Sequence, residues 1–218
     1  MDTSKKIAVI LSGCGVYDGA EIHESVLTML AIAKHGASYT LFAPDINQHH
    51  VINHITGEEM KENRNVLTEA ARIARGAIQP LSDFNINEFD ALMLPGGFGA
   101  AKNLSSLAFD GPDCDVEPLT AKAIQDTHKA EKPIGALCIA PAVLAKVINN
   151  INVTIGQDKG TIEAIEKMGS KHTLSNHGEV TIDKENKIAT TPCYMLDANI
   201  LQIEEGANNV VKAVLDMI

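Results

Sequence analysis

The chain has no tryptophan and only three tyrosines and five phenylalanines among its 218 residues. So few aromatics leave none of the stacking surface on which single-stranded nucleic-acid binders lay successive bases. Positive charge is also short: 18 Lys and Arg stand against 28 Asp and Glu, a formal net charge of -10. Such a surface does not attract a nucleic-acid backbone or an anionic membrane, so the expected partner is a small molecule. No apolar run approaches a membrane span, and the one from Ile7 to Leu11 is too brief for a signal peptide. The four cysteines, Cys14, Cys114, Cys138 and Cys193, lie far apart with no paired spacing, which argues against a zinc site or a disulfide framework. A reducing cytoplasm is the expected location.

What the chain does have is apolar content, 45% of its residues, enough for one well-buried core in a single domain over 1–218. Strand and helix patterns alternate from the start, the mark of a mostly parallel sheet covered by helices on both faces, an α/β sandwich. Strands are expected at Ile7–Ser12, Ser38–Ala43, Ala77–Leu81, Ala91–Leu94, Ile134–Leu137 and Val153–Ile155. Helices are expected at about Glu21–His35, Asn63–Arg75, Val116–Ala130, 139–147 and Thr161–Met168, with Leu196–Met217 mostly a closing helix. A hairpin should pair Val180–Ile182 with Ile188–Thr190. Residues 45–76 read as an insertion whose irregular start suits a mobile loop, with Arg64 and Asn65 as candidates to reach a binding crevice.

The sharpest local signal is Cys138, set where the apolar strand ending at Leu137 turns at once into an apolar helix. Such a corner strains the residue it presents and demands small neighbours, here Ala136 and Ala140. The following helix, with Pro141 in its first turn, favours an anion at the corner and therefore a thiolate of lowered pKa. A buried structural cysteine is the competing reading.

Two further corners, at residues 12–20 and at Pro95-Gly96-Gly97-Phe98-Gly99, should meet Cys138 at the carboxyl edge of the sheet, where ligands of such folds bind. Gly96 and Gly97 let backbone N–H groups face the sulfur, and with the N–H of Ile139 they are candidates for an oxyanion hole. No histidine follows Cys138, so a proton carrier must come from elsewhere. Glu21 and Glu24, at the amino end of the first helix, are the candidates, against the plain reading of two acids that complement the helix dipole. Three other patterns carry less. Gly13-x-Gly15-x-x-x-Gly19 with Asp45 imitates a dinucleotide loop but has one residue too many. His177-Gly178-Glu179 copies the His-x-Glu of glutamine amidotransferases beside a hairpin strand. His49, His50 and His54 lack a third metal ligand and read as surface residues.

Leu94-Pro95-Gly96-Gly97, the segment Gly99 to Leu104, and Cys138 on its corner together resemble the ThiJ/PfpI superfamily of class I glutamine-amidotransferase-like proteins. Ile10 to Gly19, Arg64-Asn65-Val66-Leu67 and Ala189-Thr190-Thr191-Pro192 are similar to its enhancing-lycopene-biosynthesis branch, whose members are also described as glyoxalases. The likeness spans nearly the whole chain. It implies a flavodoxin-like three-layer sandwich, a homodimer, and a glyoxalase that needs no cofactor, metal or glutathione and turns glyoxal or methylglyoxal into glycolate or lactate. It also implies a carboxylate beside the thiol: counting back from Gly36 selects Glu24, while the longer first corner leaves Glu21 open. Proteases and hydrolases of the superfamily carry histidine just after the cysteine, where this chain has Ile139, so protease activity is not expected. The alternative function is a redox-sensing or regulatory binding protein tied to isoprenoid biosynthesis, built on the same thiol.

Overall fold

In a computed structural model, which describes residues 4–218, nine strands and eight helices follow in strict order. They are β1 (Lys6–Ile10), α1 (Ile22–Lys34), β2 (Ser38–Ala43), α2 (Val66–Ile73), β3 (Ile78–Pro80), β4 (Ala91–Leu94), α3 (Phe98–Lys102), α4 (Leu107–Asp110), α5 (Pro118–Lys129), β5 (Ile134–Leu137), α6 (Ala140–Val147), β6 (Asn152–Val153), α7 (Lys159–Lys167), β7 (Lys171–His172), β8 (Thr181–Asp183), β9 (Ile188–Thr191) and α8 (Ile200–Leu215). Seven strands form one sheet in the order β3-β2-β1-β4-β5-β9-β8. All its pairs are parallel except the edge hairpin β8–β9, where Thr181 faces Thr190 and Ile182 faces Ala189. β6 and β7 pair separately, which removes the expected Val153–Ile155 strand from the main sheet.

The central strands are buried on both sides, so their sequences are continuous apolar runs whose alternate residues feed two cores. Ala8, Ile10, Leu92 and Leu94 point into the layer closed by Ile124 of α5 and Val143 and Leu144 of α6. Ile7, Val9, Leu11 and Met93 point into the layer closed by Ile32 of α1, Val66 and Ala70 of α2, and Val210 and Val214 of α8. This is the three-layer sandwich. Chain order reverses at β1, which lies between β2 and β4, and such a reversal opens a crevice at the carboxyl ends of the neighbouring strands.

The structure departs from the sequence reading at two segments near this crevice. The closing helix starts at Ile200, because Cys193–Met195 folds into a separate 3-10 turn and Asn199 with Gln202 forms a capping box. Residues 98–110, where periodicity gives no element, hold the short helices α3 and α4. The insertion is stapled by the bridges Asn47–Asn65 and Ile52–Glu59.

Candidate active site

Cys138 occupies the corner between β5 and α6 with φ at +59°. A left-handed non-glycine residue costs on the order of 1–3 kcal/mol and persists only where its surroundings hold it. Here the Cys138 N–H donates to the Thr191 carbonyl at 3.0 Å, and Ala136 and Ala140 are wholly buried against it. On the facing side the β4 corner must be glycine: a Cβ at Gly96 would lie 2.4 Å from Cys138 Cβ and 2.8 Å from Glu24 Oε2.

Glu24, in the first turn of α1, has no solvent exposure. Its Oε2 accepts the Gly96 N–H at 3.0 Å and its Oε1 the Tyr194 N–H at 3.3 Å. Its carboxyl meets the Cys138 side chain beside Gly96, and each group shifts the proton affinity of the other. Glu21 stands one turn earlier with a different task. Its Oε2 accepts the Glu24 N–H at 2.7 Å as the cap of α1, and its own N–H donates to the Gly96 carbonyl at 2.9 Å. Of the two candidates, Glu24 is the one against the thiol. The backbone N–H groups of Gly97 and Ile139 act on the Cys138 sulfur and favour its anion, whereas the Gly96 N–H is committed to Glu24.

Burial raises the Glu24 carboxyl to about 8, helped by the Glu21 charge and opposed by the two backbone N–H groups. Burial likewise pushes the Cys138 thiol well above its ordinary value, with the Glu24 charge next and the Gly97 and Ile139 N–H groups opposing. The lowered thiol expected from the α6 dipole is therefore not found; desolvation in this closed corner outweighs it. The two groups titrate as a pair. Once the pair carries a single proton, the stronger rise at sulfur leaves it as thiol facing carboxylate, and moving that proton across to Glu24 gives the tautomer in which thiolate faces carboxylic acid.

A cavity of about 370 Å³ opens onto the sulfur, lined by Val16, Gly97, Phe98, Cys138, Ile139 and Tyr194 among others. All three corners converge on it: Phe98 N–H donates to Val16 O at 2.8 Å, and Gly99 N–H to Gly19 O at 2.8 Å. Tyr194 went unnoticed in the sequence. It lines the cavity, its N–H holds Glu24, and its hydroxyl meets His23 Nδ1 at 2.8 Å. The signal available was Thr190-Thr191-Pro192, a polar stop at the carboxyl end of a buried strand.

The remaining candidates lie elsewhere. Gly178 borders a separate cavity between the β8–β9 hairpin and α8, and Glu179 accepts the Asn176 N–H at 2.6 Å, so none of 177–179 lines the Cys138 cavity. Asp45 accepts from Asn65 Nδ2 at 2.7 Å, and a Cβ at Gly19 would meet the Cys14 nitrogen at 2.3 Å; the first corner packs backbone on backbone and offers no phosphate cradle. Arg64 pairs with Glu62 at 2.9 Å, and Asn65 caps α2, so neither reaches the crevice. His54 joins the insertion to the first corner by accepting the Tyr17 N–H at 3.2 Å. Among the described residues no group of three His, Cys, Asp or Glu is placed to hold a metal ion.

No protein-family model matches the chain. Among curated proteins it is similar to the "ES1 protein homolog, mitochondrial" of Rattus norvegicus, 45% identical over 97% of this chain and 84% of that one. The "Glutamine amidotransferase-like class 1 domain-containing protein 3, mitochondrial" of Homo sapiens is 44% identical over 97% and 83%. Among solved structures, an isoprenoid biosynthesis protein with an amidotransferase-like domain from Ehrlichia chaffeensis superposes with a TM-score of 0.91 at 38% identity, covering 98% of this chain and all of that one (100%). Glyoxalase III from Candida albicans shares the fold, with a TM-score of 0.65 at 16% identity over 98% and 97%. The relatives named as mitochondrial overturn the cytoplasmic expectation. Unpaired cysteine spacing does not tell one reducing compartment from another.

Proposed function

The chain belongs to the family of ES1 and glutamine amidotransferase-like class 1 proteins, and we propose that it is a glyoxalase acting on glyoxal and methylglyoxal through Cys138 and Glu24. The observation that carries this reading is the buried pair itself, a thiol and a carboxyl whose proton affinities are coupled beside a cavity with ample room for a small aldehyde. The fold shared with glyoxalase III supports it.

In the proposed cycle the Cys138 thiolate attacks one aldehyde carbon of glyoxal, and the Gly97 and Ile139 N–H groups pass from sulfur to the new oxyanion. Glu24 protonates that oxygen, giving a hemithioacetal. As carboxylate it then removes the hydrogen of the same carbon and returns a proton to the neighbouring carbon through an enediol. The product is a thioester of glycolate, which water cleaves to free glycolate and thiol. Every proton moves through one carboxyl, and the cycle uses no metal, glutathione or other cofactor. We further propose a homodimer that covers Ile22, Val26 and Leu30, one turn apart on α1 and each more than two-fifths exposed (41%, 44% and 42%); sedimentation at micromolar concentration reads it directly.

The test is glycolate formation from glyoxal with neither metal nor glutathione added. Cys138→Ser should abolish turnover, and Glu24→Gln should lower it about 100-fold or more while still trapping aldehyde on the thiol. Full turnover in either variant refutes the scheme.

A further inference from the structure

Cys193 has no part in that cycle, yet its setting is as constrained as that of Cys138. Six non-glycine residues of the described chain have a left-handed backbone. Arg75, Glu131, Asn150 and Lys187 are at least partly exposed, and the two buried ones are Cys138 at +59° and Cys193 at +41°. Nothing in the local sequence asks for a strained cysteine on a 3-10 turn.

The sheet brings the two together. β5 and β9 are parallel neighbours in register, Leu137 beside Thr191, with strands about 4.8 Å apart. Cys138 is the next residue on one strand, and Cys193 the second on the other. Both belong to the same core layer, at 6% and 4% exposure, and Glu24 serves both: it meets the Cys138 side chain beside Gly96 and accepts the N–H of Tyr194, the residue after Cys193. The Glu24 charge and the Cys138 thiol both act on Cys193. Cys138 lines the cavity and Cys193 does not. Cys14 and Cys114 are excluded from this cluster, since Cys14 is in neither core layer and Cys114 belongs to the layer on the other side of the sheet.

We infer that Cys193 is a resolving thiol for Cys138, so that hydrogen peroxide entering the cavity converts the site into a reversible Cys138–Cys193 disulfide. The Cys138 thiolate attacks one peroxide oxygen and the O–O bond breaks; Glu24 gives its proton to the departing hydroxide, leaving Cys138 sulfenic acid, water and a carboxylate. That carboxylate takes the Cys193 proton. The Cys193 sulfur then attacks Sγ of Cys138, the S–O bond breaks, and the leaving hydroxide recovers the proton as water. Two thiols are oxidised by two electrons and one peroxide is reduced to two waters. A disulfide requires Cα atoms within roughly 6.8 Å. Closing the bridge would move the short 3-10 turn that carries Cys193.

The proposal stands apart from the glyoxalase reading, because it is read by mass and not by turnover. The protein is treated with one to several equivalents of hydrogen peroxide, its free thiols are alkylated, and its peptides are mapped. The expected result is a Cys138–Cys193 cross-linked pair, 2 Da lighter than the two thiols, with Cys14 and Cys114 alkylated, reversed fully by dithiothreitol. In Cys193→Ser, a second equivalent of peroxide should carry the Cys138 sulfenic acid on to sulfinic acid, 32 Da heavier than the thiol and not reversed. Wild-type protein that gives Cys138 sulfinic acid beside a free Cys193 at every peroxide dose overturns the proposal, as does wild-type protein whose Cys138 does not oxidise. The peptide map of wild-type protein decides the matter even if the serine variant fails to fold.

Discussion

The two glycine-rich corners at the carboxyl ends of β1 and β4 look alike in sequence and do different work. At the β4 corner, Gly96 leaves the space in which Cys138 and Glu24 meet, and Gly97 turns an N–H towards the sulfur. At the β1 corner, Gly13, Gly15 and Gly19 are consumed by close packing of the loop on itself and on His54. A missing Cβ therefore makes room either for chemistry or for backbone, and the neighbours decide which. The difference lies across the crevice: a thiol and a carboxyl face one corner, and the imidazole of the insertion faces the other.

The largest effect should follow from filling the first of these spaces. Gly96→Ala puts a methyl group against Cys138 Cβ, Glu24 Oε2 and the Leu137 carbonyl, the first two at 2.4 Å and 2.8 Å and the third at 2.9 Å. Glyoxal turnover should drop by about 100-fold or more, since displacement of reacting groups by a fraction of an ångström is enough for such losses, and stability should fall by about 1–3 kcal/mol. An alanine variant with wild-type kinetics would break the assignment of this corner.

Next in size is a pH effect that belongs to the β4 corner alone. The Glu24 carboxyl sits at about 8 in the folded protein against an ordinary value of 4.5. Between these values the folded state holds a proton that the unfolded state has lost. The stabilisation from burying the neutral acid is thus full below about 4.5 and is lost as pH rises to about 8. Denaturant unfolding should show stability falling across that window with a limiting slope of about 1.4 kcal/mol per pH unit from this group, and Glu24→Gln should flatten it. kcat/KM for glyoxal should rise over the upper part of the same window, because the singly protonated pair is the reactive form. Parallel stability profiles for wild type and variant would sink this account.

The smallest effect on chemistry is expected at the β1 corner. Gly15→Ala sets a methyl group 2.6 Å from His54 Nε2 at a φ of +123°. The imidazole can swing away but the backbone strain stays, so a stability loss of about 1–3 kcal/mol is expected with turnover changed less than tenfold. Chemical denaturation beside the glycolate assay separates the two. Turnover lost at unchanged stability would mean that both corners are catalytic.

Much of this architecture was legible because its physics is local. Buried parallel strands must be apolar runs, helices must be amphipathic and capped, and a strand that turns at once into a helix with small neighbours announces Cys138. The central strands and the long helices accordingly fall where the periodicity puts them. The irregular connections do not: α3 and α4 are too short for a period to show, and the 193–195 turn is written in hydrogen bonds to residues far away. Glu24 could not be told from Glu21 on the sequence, because both suit the first turn of a helix. The register of α1 against the β4 corner sends one side chain under Gly96 and leaves the other as a cap.

The sequence by itself determined the α/β layering and the three corners, with Cys138 at one of them, since each follows from the order of polar and apolar residues along a few turns of chain. Tertiary structure alone decided which carboxyl joins the thiol, that burial raises both their proton affinities, and that Cys193 comes to stand beside Cys138. Those outcomes depend on desolvation and on distances between strands, and neither quantity is carried by any single stretch of sequence.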